Sequence, residues 1–242
     1  MREALLWGVV ASSSLIIGGA VTLRFSVPSR VLGLVMAFGA GVRISSVSFE
    51  LVEEAFTTSG GDGVALGLFA GAGVFFAGDV LLDRFGAGDR KSSAGTQAGG
   101  SALAIVLGIV LDGLPESAVL GLTVLEEGSV SVAFLAAVFL SNLPEAIAAT
   151  SGLGSAGWRG SRILGLWVLV TIVCGLASLA GFALLDDAAP STVSFVLSFA
   201  GGAILTMLAD TMMPEAFTHG GKLVGLFTTA GFAAAFALSA LQ

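Results

Sequence analysis

The chain has 242 residues, 55% of them hydrophobic and 11% charged, with a formal net charge of -7 and a mean hydropathy of +0.99. An ordinary soluble domain carries roughly 25% charged residues, so the composition excludes a soluble fold and indicates one transmembrane domain over 1–242. No basic cluster suited to nucleic acid is present, and a single cysteine, Cys174, excludes a disulfide framework or a thiolate metal cluster.

Apolar runs of about 20 residues predict an all-α, polytopic fold with eight membrane helices, near 4–23, 31–54, 63–83, 101–125, 129–153, 161–185, 191–213 and 221–241. The first, after Arg2, reads as a retained helix rather than a cleaved signal. Gly67-x-x-x-Gly71 and Gly221-x-x-x-Gly225 have the spacing that lets membrane helices approach closely. The stretch 86–100 is rich in Gly, Ser and Ala and reads as a cytoplasmic loop.

Basic residues alternate between connections. Arg24 and Arg30 follow the first run, Arg84, Arg90 and Lys91 the third, Arg159 and Arg162 the fifth, and Lys222 the seventh. The intervening connections carry acids and no base. Cytoplasmic loops are the basic ones, which predicts a multi-pass protein of the cell membrane with both termini extracytoplasmic.

Three of the five prolines precede a glutamate: Pro115-Glu116, Pro144-Glu145 and Pro214-Glu215. The first two fall near the middle of their runs, where a helix breaker and an ionisable group are each costly. Asp112 and Glu116 are four apart and share a helix face. Ser141, Asn142 and Glu145 form a matching cluster on the next run, at the same depth. Pro115 and Pro144 lack an N–H, freeing the carbonyls of Leu111 and Leu140. Carboxylate and amide oxygens of this kind suit a divalent cation, making Asp112, Glu116, Asn142 and Glu145 the candidate metal ligands, with Ser141 assisting.

Asp-Gly-Leu-Pro-Glu-Ser at 112–117 and Ser-Asn-Leu-Pro-Glu-Ala at 141–146 resemble the paired fourth- and fifth-helix signatures of the ZIP (Zrt/Irt-like protein) metal transporters. Ala-Phe-Gly-Ala-Gly-Val at 37–42, Asp-Thr-Met-Met-Pro-Glu-Ala at 210–216 and the loop after the third helix are similar to that family as well. The resemblance implies a ZIP-like bundle and a permease that moves a divalent cation of the zinc, iron, manganese or cobalt class into the cytoplasm by alternating access. The ion is then the transported substrate, and the bilayer and that cation are the partners; no enzyme activity is implied, and homodimerisation stays open.

The chain departs from the family pattern in its ligands. Asp112 and Gly113 stand where the family usually has His and Asn, and Ser141 and Asn142 where it usually has His or Gln followed by an acid. The only histidine, His219, lies beyond the seventh run, and no acid occurs between Arg162 and Asp186, where the family's second metal position usually draws one. A single site of oxygen ligands remains, with weakened preference for zinc over harder ions. Arg43, at the middle of the second run, has two readings: a permanent cation in place of a second metal, or an interhelical ion pair with Asp112, Glu116 or Glu145.

Glu50, Glu53 and Glu54 near one end of the second run, and Asp79 and Asp210 near the other side, line an ion path or are simply solvated. Alternatives to the permease are an exchanger of monovalent cations or protons using the same acids, and a divergent relative that moves no metal. An intramembrane metallohydrolase lacks its His-Glu-x-x-His signature.

Overall fold

The computed structural model describes residues 1–84, 102–127 and 130–240, and every regular element among them is helical. In chain order these are α1 (Arg2–Arg24), α2 (Ser29–Ser46), a π-helical segment (Val47–Val52), α3 (Glu53–Ser59), α4 (Gly61–Asp83), α5 (Ala102–Glu127), α6 (Val132–Ser155), α7 (Gly160–Leu185) and α8 (Pro190–Met207). A second π segment (Leu208–Met212), α9 (Met213–Gly220), a 3-10 turn (Gly221–Leu223) and α10 (Val224–Ser239) complete the chain. The expected loop 86–100 lies outside the described residues.

Seven helical stretches among the described residues are long and apolar enough to cross a membrane: Arg2–Arg24, Ser29–Ser59, Gly63–Asp83, Gly108–Leu125, Val132–Ser155, Gly160–Leu185 and Pro190–Ser239. The difference from the expected eight arises at the last, where the runs 191–213 and 221–241 fall in one stretch of 50 residues. At about 1.5 Å per residue its contour is more than twice the roughly 30 Å of a hydrocarbon core. Gly221 interrupts it with φ +61°, a left-handed conformation that closes α9. A Cβ at Gly221 or Gly225 would meet nothing within 4 Å, so the pair is not a packing motif: Gly221 opens the turn and Gly225 lies at the start of α10.

Polarity is arranged opposite to that of a water-soluble bundle. Phe69 and Leu184 are each 80% exposed on the outside, while Arg43, Asp112 and Glu116 are buried at 3%, 4% and 2%. An outer surface of Phe and Leu around an apolar interior that also holds these charges suits hydrocarbon as solvent.

The helices sort into two groups by contact. One holds α1, α5, α6 and α7, with α1 packed on α6 and α7, and α5 on α7; the other pairs α4 with α8 and α2 with α10, with α3 and α9 against α8 and α2. Reciprocal glycines make the closest crossings inside each group. A Cβ at Gly71 would strike the carbonyl of Phe199 and one at Gly202 that of Leu68, on α4 and α8. Gly41 and Gly231 do the same for α2 and α10, and Gly121 and Gly181 for α5 and α7. Between the groups, α2 faces α6 and α5 faces α8, and a Cβ at Gly39 would be 3.3 Å from Cα of Ser141.

Candidate functional site

Each proline-bearing helix runs unbroken through its proline: Pro115 is inside α5 and Pro144 inside α6. Around them Asp112, Glu116, Asn142 and Glu145 are all at most 9% exposed. Burial of three carboxylates in an apolar bundle is costly unless cations or hydrogen-bond donors meet them.

Arg43 of α2 meets two of them. Its Nη1 lies 2.6 Å from Oε1 of Glu116 and its Nη2 3.3 Å from Oε1 of Glu145. Nη2 also donates to Oδ1 of Asn142 at 3.2 Å, and Nη1 to the sulfur of Met207 at 3.3 Å. One planar guanidinium therefore spans α5, α6 and α8 from α2, which its fork of donors permits and a single ammonium would not. Asp112 lies one turn from Glu116 on α5 and is buried as well. Among the described residues no three His, Cys, Asp or Glu side chains are grouped as a metal ion requires; at Glu116 and Glu145 the cation in contact is Arg43.

Ser141 is fully buried, and its hydroxyl donates back to the carbonyl of Val138 at 3.1 Å on its own helix. His219 lies 3.0 Å from Glu215 on α9, on a different element from the carboxylate cluster.

Two departures from α-geometry flank the arginine's contacts. The π segment of Val47–Val52 begins four residues after Arg43, and that of Leu208–Met212 directly after Met207. In each, the closing amide donates five residues back, Glu53 to Ser48 and Met213 to Leu208. Pro214 explains the second: it has no N–H and its ring crowds the carbonyl of Asp210, so the helix widens before it. Such widened turns concentrate at functional sites.

The two ends of the groups' boundary differ. Toward the end carrying Arg24 and Arg159, a cavity of about 450 Å³ opens between α1, α2 and α6, lined by hydroxyls of Thr22, Ser29, Thr150 and Ser151 beside Ile147. Arg43, Asp112, Glu116, Asn142 and Glu145 are not among the residues that line it. Toward the other end the space beside Arg43, Ser46 and Glu116 is only about 10 Å³, near the lower limit for one water. There Glu50 accepts from Ser131 at 2.9 Å and from Ser239 at 2.7 Å, tying the α2 π segment to the start of α6 and the end of α10. Ser131 also accepts from the amide of Phe134 as the N-cap of α6. Sequence reasoning offered Glu50 as an ion attractor or a solvated acid and gave no sign of this clasp, nor of Met207. Both partnerships join residues far apart in the chain, which no local pattern signals.

No family model matches the chain. Over 204 residues it is 27% identical to a protein of Arabidopsis thaliana named "Putative zinc transporter", a match that covers 82% of this chain and 32% of that protein. The chain thus spans about a third of the length of the relative it matches.

Proposed function

We propose that the chain is a membrane permease of the ZIP type that carries a divalent metal cation into the cytoplasm by alternating access. Asp112, Glu116, Asn142 and Glu145 form the cargo site, with Ser141 assisting. The observation that carries this reading is the pair of buried carboxylates, Glu116 and Glu145, on two successive proline-bearing helices, both engaging a cation in the form of Arg43. The similarity to a protein named as a zinc transporter supports the same class. Oxygen ligands suit zinc, iron, manganese or cobalt without strong preference for zinc.

In this reading Pro190–Ser239 crosses the membrane twice, turning at Gly221, which gives eight crossings and both termini outside. The cavity beside Thr150 then faces the cytoplasm, and the Glu50 clasp lies on the outer side. The two helix groups shift against each other about the site, as helix bundles do in alternating access.

The test is uptake of radioactive Zn²⁺, Mn²⁺, Fe²⁺ and Co²⁺ into proteoliposomes holding the purified protein. Saturable uptake of at least one, competed by the others, supports the permease; absence of any sinks it. A second reading, an exchanger of protons or monovalent cations, draws on the arginine engaging Glu116 and Glu145 directly. Uptake of sodium, potassium or protons without divalent uptake would favour it.

A further inference from the structure

The arginine and the carboxylates stand on opposite sides of the boundary between the two helix groups. Asp112 and Glu116 belong to α5, and Asn142 and Glu145 to α6, all in one group, whereas Arg43 belongs to α2 in the other. Its guanidinium occupies oxygens of Glu116, Glu145 and Asn142, three of the four side chains assigned to the cargo. A divalent cation needs those oxygens as ligands at short range, and a guanidinium within hydrogen-bond reach of the same oxygens repels it. The two cations cannot share them.

We infer that Arg43 is a tethered competitor for the transported cation, expelling it from Glu116, Glu145 and Asn142 when the groups are docked as in this structure. The inference rests on the transport reading above. Its direction follows from the asymmetry of the boundary. The side beside Ser46 has room for about one water and the Glu50 clasp lies at that end, whereas the hydroxyl-lined cavity opens at the other end of the boundary, between α1, α2 and α6. A cation displaced by Arg43 leaves through the cavity.

Arginine suits this role better than other cations. It keeps its charge where a lysine or histidine could lose a proton, and its fork reaches two carboxylates at once. Being on the other helix group, it loses these contacts when the groups shift, and the carboxylates are then available to a new ion. A purely structural ion pair would differ in one readout: its removal would leave cation affinity unchanged or reduced.

The experiment compares the purified full chain with Arg43→Gln and Arg43→Lys, measuring equilibrium dialysis of Zn²⁺ and Mn²⁺ in detergent and initial uptake rates in proteoliposomes. In Arg43→Gln, affinity rises by at least about tenfold, the order expected when a unit positive charge is removed from contact with a cation site. Its kcat and KM for uptake fall together, because release has become slow. Arg43→Lys, which keeps the charge but grips one glutamate at a time, has an affinity between the two and remains informative if the glutamine variant fails to fold. Affinity unchanged or lower in folded Arg43→Gln, or native affinity in Arg43→Lys, overturns the assignment while metal binding by the native protein leaves the transport reading standing. If neither native protein nor variants bind an ion, the transport reading itself fails and the competitor with it.

Discussion

The guanidinium of Arg43 and the carboxylate of Glu116 meet at 2.6 Å across the boundary of two helix groups, from positions 73 residues apart in the chain. Both side chains are almost wholly buried. Removing Arg43 takes a cation from two buried carboxylates at once, whereas removing Glu116 leaves the arginine Glu145 and Asn142, so the larger cost is expected at the arginine.

Arg43→Met is expected to lower the stability of the solubilised protein by about 3 kcal/mol, the scale for breaking a buried pair by deleting one partner. Adding Glu116→Gln to it recovers part of the loss. Denaturation of the two single variants and the double variant measures the coupling; strictly additive effects would show that the pair is energetically silent.

Glu116→Gln and Glu145→Gln keep shape while removing charge. Each is expected to reduce divalent uptake by at least about tenfold, since a neutral amide replaces a carboxylate ligand in a site of few ligands, with folded protein recovered in normal yield. Uptake at the native level in both variants would remove these residues from the cargo site.

The Glu50 clasp is expected to hold its end of the boundary closed. Glu50→Ala removes the acceptor of both Ser131 and Ser239, so a cysteine placed at Ser46 should become reactive to a water-soluble maleimide from the outer face, in a Cys174→Ala background. Equal labelling with and without Glu50 would show that the clasp does not control access.

Tags at the C terminus and at position 158 are expected on opposite faces of the membrane if Pro190–Ser239 crosses twice. Protease accessibility in sealed vesicles decides it. Tags on the same face would mean a single crossing for that stretch.

The helical class, six of the membrane stretches and the buried acids were legible in the sequence because each rests on a local signal: apolar length, or a charge inside it. The last two runs were separable by hydropathy, yet the chain stays helical between them except at Gly221, whose spacing to Gly225 suggested packing and whose backbone is a turn. Arg43 stood out for its charge at mid-run, but the sequence left open which acid it meets. The Met207 contact and the Glu50 clasp depend on tertiary contacts; of the two π segments, only the one before Pro214 has a local cause.

The reciprocal glycines have a mechanical corollary. Backbones locked carbonyl against glycine resist sliding, because any shift along the axis drives a bare Cα past a rigid peptide, and these engagements join α4 to α8, α2 to α10 and α5 to α7. Across α2 and α6, a Cβ at Gly39 would come within 3.3 Å of Cα of Ser141, a tight fit but a looser one than at these crossings. Stiffness is therefore concentrated within each group and compliance at the face between them. The bundle's easiest large deformation is a shear along the plane that Arg43 spans.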